Sequence, residues 1–390
     1  MTILSSSGRF SVWDVSSTEP AANSVKHDDS APAISKAVSW LGVMAQLTFG
    51  YRGTPPLLQL NMIGTLKVYT RMYALKLRRS IRRERNRRIL STKSDAWVIT
   101  LDSPRNGLFA HLTWCLAIWA RAEKLGCRVS LRAVSSQYGR PDVAIDWFKT
   151  LFVNQHPVFK REDNWGLTLA EYEEWPDYEK SGGLASITEA STLFYKYCGV
   201  QPALIAEVDR YCAQQWGSEP VLGVHYRGTD KSIEAPPVSF ETMIDHVGKA
   251  LALWPELGTV YVATDEESFP HALRRAFPGH RVIFADGALR SANGRAVHHL
   301  SESDGLRRAR EAVFDCLVLS RTSLLLKTAS MLSGWSAVLS PDLPTILINP
   351  PYQQANFFPD CVLEDRVGDL PARIAAARLS YMTATTSHVA

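Results

Sequence analysis

The chain has 390 residues, enough for two domains of ordinary size, and its 46% hydrophobic and 21% charged fractions are those of a globular protein. The net charge of +4 is unevenly placed, because Lys67 to Lys93 holds eleven Lys or Arg and a single acid, Glu84. That run carries about +10 and leaves the rest near −6, so the folded body is not a general polyanion binder; any attraction to a membrane surface or nucleic acid belongs to this one segment, and no nucleic-acid partner is expected.

Residues 1–35 are rich in Ser, Ala, Asp and Pro without a sustained period, and they read as a disordered N-terminus. The first thirty residues lack an apolar core, so no signal peptide is expected. Ala37 to Gly50 is apolar but shorter than the roughly 20 residues that a bilayer-spanning helix needs. Residues 36–93 read as a basic amphipathic helical segment. The expected location is the cytoplasm. Any membrane contact is peripheral, at the inner membrane and through residues 37–93; a solvated basic face is the plainer alternative.

From Trp97 the texture changes. Trp97 to Leu101 is a buried-strand pattern, and a turn-rich loop follows as far as Gly107. Leu112, Cys115, Leu116, Trp119 and Ala120 then recur at helical spacing until Gly126, and Cys127 to Leu131 reads as the next strand. Further strands are predicted at Val221–His225, Val260–Thr264, Val282–Ala285, Leu324–Lys327 and Thr345–Ile348. Helical stretches lie between them near 239–254, 266–277 and 306–320. This alternation argues for an α/β protein with two Rossmann-like doubly wound domains, 96–215 and 216–365, joined by a hinge near 201–216. Residues 366–390 are expected to form a C-terminal helix and tail. The six cysteines have no C-x-x-C spacing, so reduced buried thiols are expected and no zinc site.

In open α/β sheets, ligands bind where strands end. The strand Gly223-Val224-His225 runs straight into Tyr226, Arg227, Gly228, Thr229, Asp230 and Lys231. Four ionisable groups at one strand end are costly to hold together without a ligand. Arg227 suits a diphosphate, to which a guanidinium gives two parallel hydrogen bonds. His225 suits a base or an orienting hydrogen bond. A salt-bridge network around Asp230 is the structural alternative. Glu234, on a proline-flanked loop, is a candidate general base that Lys231 would assist, or simply a solvated carboxylate. Asp265 follows the strand Val260–Thr264; it suits a helix N-cap, a ribose contact or the orientation of Arg227. Asp315 lies in an apolar helical stretch, where an unpaired carboxylate is expensive, and a carboxylate can accept from both guanine N–H groups. Thr328 and Ser330 open a helix whose first amides favour phosphate. No G-x-x-x-x-G-K-S/T and no G-x-G-x-x-G after a strand is present, which disfavours a phosphate-loop ATPase and a dinucleotide enzyme.

The run VHYRGTDK is similar to the H-x-R-x-x-D motif of the α-1,6-fucosyltransferase and protein O-fucosyltransferase superfamily, which includes the bacterial nodulation fucosyltransferases. VYVATDEESF and FDCLVLSRTSLLLKTAS resemble its second and third motifs, in family order, over roughly 96–350. The resemblance implies a GT-B fold, with two domains facing across a cleft. It also implies metal-independent inverting transfer from GDP-fucose to a glycan or lipooligosaccharide acceptor, without a cofactor. It places Arg227 at the diphosphate, His225 and Asp315 at the guanosine, and Asp230, Asp265, Thr328, Ser330 and Gly107 around the donor. Lys231 and Glu234 take the place of the base relay, Glu234 one residue nearer the motif than in the core α-1,6 enzymes. Vertebrate α-1,6 enzymes carry a second Arg where this chain has Gly228, and paired serines where it has Ser330-Met331. Two other readings compete. One is a glycosyltransferase using another nucleotide sugar. The other is a non-catalytic protein that binds a membrane or nucleic acid through its basic segment.

Overall fold

The computed structural model describes residues 56–91, 96–102, 107–140, 143–156, 165–169, 182–228, 231–285, 290–291, 305–363 and 370–387. The expected disordered stretch 1–35 and the apolar stretch 37–50 lie outside the described residues. Two units divide the chain, Met1–Ala74 and Leu75–Ala390.

Helix α1 runs from Pro56 to Ser91, with proline at its first position, where no intrahelical N–H is needed. Met72, Tyr73, Leu75, Leu77 and Ile81 are all exposed. Consecutive helical residues lie about 100° apart, so Met72 and Tyr73 cannot share a stripe. From residue 70 to the end of the helix the apolar residues are scattered among the arginines, so this part of the expected amphipathic segment presents no single apolar face, while residues 36–55 lie outside the described residues. Its last turns are anchored, because Asn86 and Leu90 are buried. Among the described residues, no helix is long and apolar enough to cross a membrane.

The first sheet has the order β3-β2-β1-β5. Strand β1 (Ala96–Asp102) pairs in parallel with β2 (Arg128–Arg140) and, on its other edge, with β5 (Trp165–Leu169). Helix α2 (Leu108–Leu125) makes the crossover from β1 to β2. Gly126 ends it in the left-handed conformation at φ 65°, which a glycine adopts without steric cost. Strand β3 (Val143–Asp146) pairs antiparallel with β2. So few residues separate β2 from β3 that no helix can cross over, and the reversal is forced. The first half is therefore only partly of the doubly wound type expected. Helix α3 (Trp147–Leu151), strand β4 (Phe152–Asn154), helix α4 (Ile187–Tyr197) and strand β6 (Cys198–Val200) follow, with β4 and β6 paired antiparallel. The stretch read as a hinge is instead helix α5 (Pro202–Gln215), which buries Leu204, Val208 and Cys212 at i, i+4 and i+8.

The second sheet is parallel throughout, in the order β11-β10-β7-β8-β9. Its elements are β7 (Val221–Tyr226), α6 (Phe240–Leu253), β8 (Thr259–Thr264), α7 (Ser268–Ala276) and β9 (Arg281–Ile283), then α8 (Gly305–Leu319), β10 (Leu324–Lys327), α9 (Met331–Leu339) and β11 (Thr345–Leu347). The chain builds outward from β7 in one direction and then returns to build from β10 in the other. The topological switch point therefore falls between β7 and β10. Two further helices end the chain, α10 (Asp360–Leu363) and α11 (Leu370–Ser387).

Alternation along the strands divides this sheet between two cores. Leu222, Val224, Val260, Val262, Leu324 and Leu326 face one cluster with α6 and α11. Val221, Tyr261, Ala263 and Leu325 belong to a larger core that also holds Trp97, Trp114, Trp119 and Trp147 of the first half. Two buried hydrogen bonds stitch the halves together: Trp335 Nε1 donates to Thr113 Oγ1 (3.0 Å), and Thr113 Oγ1 donates to the Phe358 carbonyl (3.2 Å). All six cysteines are free thiols; five are buried and Cys361 is half-buried.

Candidate active site

His225, Arg227, Asp265 and Thr328 lie at the exits of three adjacent strands, β7, β8 and β10, beside the switch point. Strand β7 is buried along its length and carries His225 to the sheet's C-terminal edge. The His225 ring, 4% exposed, places Nδ1 3.0 Å from Ser333 Oγ of α9. Beyond the strand, the Arg227 main-chain N–H donates to Thr328 Oγ1 (2.9 Å), which ties the β7 exit to the β10 exit. The Arg227 guanidinium Nε lies 3.6 Å from Asp265 Oδ2, with the two side chains 22% and 15% exposed. The other oxygen of Asp265 accepts from the Gly228 N–H at 3.3 Å. One carboxylate thus orients both the cation and the peptide that follows it. The guanidinium is mostly buried, so its charge acts in partly desolvated surroundings.

Gly228 has no room for a side chain. A Cβ there would lie 2.8 Å from Glu266 Oε1 and 2.9 Å from Tyr226 Cε1. The second arginine of related motifs does not fit this position unless Glu266 moves. Burial and the neighbouring Asp265 charge raise the Glu266 carboxyl above its ordinary range.

Ser330 is the N-cap of α9 and Thr328 lies two residues before it. Thr328 is buried and spends its hydroxyl oxygen on Arg227. The Ser330 N–H donates to Asp360 Oδ2 (2.8 Å), and the Ala329 N–H donates to Asn349 Oδ1 (2.8 Å). Side chains therefore already satisfy the two amides ahead of α9. Below them lies an ion pair that sequence reasoning missed. Lys327 Nζ is 2.6 Å from Asp360 Oδ1, with side chains 0% and 6% exposed. The lysine ends an all-apolar strand, which was a usable signal; nothing near Asp360 announced its partner.

Asp315 has a different partner from the Arg227 cluster. Its Oδ1 accepts from the Tyr261 hydroxyl at 2.6 Å, across α8 and β8. Burial pushes the carboxyl up to about 6, against the Tyr261 hydrogen bond and the Arg290 charge.

The first half contributes through Tyr138, at the far end of a strand longer than predicted. Its hydroxyl accepts from the Leu108 N–H (2.7 Å) at the start of α2. Burial raises this phenol to about 12, opposed by that hydrogen bond and by the charges of Arg227 and Arg308. Gly107, the helix N-cap, sits beside it; a Cβ there would make only ordinary contact with the hydroxyl, 3.9 Å away.

Glu234 follows a short 3-10 turn, Lys231–Ile233, and is half-buried. Its carbonyl accepts from the Tyr352 N–H at 2.8 Å. Asp230 and the Lys231 side chain lie outside the described residues. Among the described residues, no three His, Cys, Asp or Glu form a metal-binding group. A cavity of about 320 Å³ opens at the other end of the sheet, where Leu324, Thr345 and Ile346 meet Arg373. With few polar groups converging on it, it offers little to orient a ligand.

No protein-family model and no curated protein matches the chain. Among the solved structures to which the chain is similar are three fucosyltransferases. NodZ from Bradyrhizobium shares 14% identity at a TM-score of 0.43, covering 64% of this chain and 94% of that one. Arabidopsis thaliana FUT1, in complex with GDP, shares 11% at a TM-score of 0.41, covering 72% and 76%. POFUT1 in complex with GDP shares 10% at a TM-score of 0.40, covering 64% and 95%.

Proposed function

We propose that this chain transfers fucose from GDP-fucose to a hydroxyl of a glycan acceptor, in an α-1,6 linkage, with inversion and without a metal. The observation that carries the reading is the convergence of Arg227, His225, Asp265 and Thr328 at the switch point between β7 and β10. An open parallel sheet binds nucleotides in that crevice. Arg227, held by Asp265, takes the diphosphate and stabilises the charge that develops on departing GDP, the role a cation fills elsewhere. Asp315 suits the guanine edge, and His225, fixed by Ser333, borders the nucleoside. The acceptor oxygen attacks the anomeric carbon as the bond to the β-phosphate oxygen breaks. The hydroxyl proton passes to Glu234, with Lys231 three residues before it in the chain assisting. In this reading the first half, with Gly107 and Tyr138, faces the donor across a GT-B cleft, and α1 brings an amphiphilic acceptor or a membrane surface close.

The test is calorimetric titration of GDP, UDP and ADP into the full chain and into Arg227→Ala. Micromolar GDP binding that the variant loses supports the reading. Preference for UDP, or binding indifferent to Arg227, overturns it.

A further inference from the structure

The loop that carries Glu234 presents apolar surface where a soluble protein would ordinarily hide it. Ile233 is 78% exposed, more than any other large hydrophobic residue among those described. Tyr352 is 38% exposed, and no other ring among the described residues packs on it. The two flank the same residue, Ile233 as the chain neighbour of Glu234 and Tyr352 through its N–H bond to the Glu234 carbonyl at 2.8 Å.

This surface is rigidly mounted. Asn349 donates from Nδ2 to the Pro236 carbonyl (2.7 Å) on the base loop. From Oδ1 the same side chain accepts the Ala329 N–H (2.8 Å) of the donor-side loop. Ala235, Ala329 and Leu347 are buried together beneath. Pro350 and Pro351 then limit the backbone freedom of the chain leading to Tyr352. One asparagine thus ties the base loop to the donor-side loop, and the Tyr352 main chain is held to Glu234, which reduces the ordering that a ligand seated there would have to impose.

We propose that Tyr352 and Ile233 form the acceptor subsite, and that its ligand is a pyranose ring laying its C–H face on the tyrosine. The proposal rests on the fucosyltransferase reading, which makes Glu234 the base for the acceptor hydroxyl. Sugar rings combine apolar C–H faces with a polar rim. An aromatic ring with a polar tip at the water boundary matches both, and the ring fixes orientation without burying a charge. A hydroxyl on the edge of a sugar so seated would point at Glu234. Ile233 extends the apolar contact to a second ring or to an acyl chain.

The experiment uses the full chain, saturated with GDP, on an array of free and lipid-linked pyranosyl oligosaccharides. Tyr352→Ala, Tyr352→Trp and Ile233→Ser are run beside wild type, and each is first titrated with GDP. The expected result is unchanged GDP affinity in all three. Retention of the bound glycans falls about tenfold in Tyr352→Ala, the scale of one stacking contact, persists in Tyr352→Trp and weakens about threefold in Ile233→Ser. Turnover with a retained glycan then shows a raised acceptor KM in Tyr352→Ala and an unchanged KM for GDP-fucose. Equal retention by wild type and Tyr352→Ala overturns the subsite, as does a GDP-binding wild type that retains no pyranosyl glycan. Absence of GDP binding in wild type removes the fucosyltransferase reading itself, and the subsite with it.

Discussion

The two sheets share a grammar of strand, loop and helix, yet they bring very different chemistry to their edges. The second sheet is parallel throughout and projects Arg227, Asp265 and Thr328 from three adjacent strand exits. The first sheet has an antiparallel edge, and its Tyr138 phenol feels the charge of Arg227 without a hydrogen bond to it among the described contacts. Its interior holds four fully buried tryptophans, Trp97, Trp114, Trp119 and Trp147. Parallel strands place all their exits, and the helix N-termini that follow, on one edge, so polar groups accumulate there. A hairpin sends alternate exits to opposite edges. In this chain the second half gathers its polar groups at one sheet edge, and the first half spends its side chains on a tryptophan-rich core.

The sharpest break of that comparison lies beneath that edge. Lys327→Ala leaves the Asp360 carboxylate buried without its partner and is expected to destabilise the protein by about 3–5 kcal/mol, read as a lowered urea midpoint. Replacing both partners, Lys327→Met with Asp360→Leu, is expected to restore most of that stability. GDP affinity should stay low in the double variant, because the Ser330 amide loses its acceptor. Full recovery of GDP binding would show that the pair has no bearing on the donor loop.

Next in size is Arg227. Arg227→Ala is expected to lower the transfer rate by about 100- to 1000-fold, as removal of one charge-stabilising donor does elsewhere. Arg227→Lys should recover little, because an ammonium cannot give the paired hydrogen bonds of a guanidinium. A lysine variant with near-native turnover would reduce Arg227 to a point charge.

The first half should respond differently. Tyr138→Phe strips the Leu108 N–H of its buried acceptor and is expected to cost about 1–3 kcal/mol of stability. GDP affinity should change little. A larger loss of GDP affinity than of stability would move Tyr138 from support into the donor site.

The smallest effect is a pH dependence at Asp315. Burial lifts its carboxyl to about 6, so the protonated form favours the folded state. That contribution is complete below the ordinary carboxylate range and is lost as pH rises through about 6. Wild type should therefore lose part of its stability advantage over Asp315→Asn between pH 5 and pH 7. Donor binding should run the other way if the ionised carboxylate receives guanine. GDP affinity would then rise about tenfold over that interval in wild type, beyond any rise in Asp315→Asn, where only the nucleotide's own phosphate titrates. Parallel pH profiles for the two proteins would remove Asp315 from the guanine site.

Much of this was legible in the chain. Apolar runs ending in charged residues located four of the five strands of the second sheet, and an apolar run ending in Asn349 and two prolines located β11, because a strand buried on both faces must be apolar until it emerges. His225, Arg227 and Asp265 stood out for the same reason: ionisable groups directly after such runs have a sheet edge as their natural place. The periodicity of α2 and its glycine stop were local and readable. The hinge that is helix α5 was a misjudged period, since Leu204, Val208 and Cys212 were spaced for burial from the start. Other features belong to tertiary structure alone. Strand order cannot be read from strand patterns, so the switch point emerged only with the pairings β7–β8 and β7–β10. Lys327 and Asp360 are 33 residues apart in sequence and meet only when α10 docks below the sheet. The Arg227 charge reaches the Tyr138 phenol although the two belong to different halves, and Tyr352 meets Glu234 through a long-range main-chain hydrogen bond. The sequence by itself determined which groups would stand at strand ends, since that follows from the cost of burying charge. The tertiary structure decided which of those groups face one another, since partners are chosen by packing between distant segments.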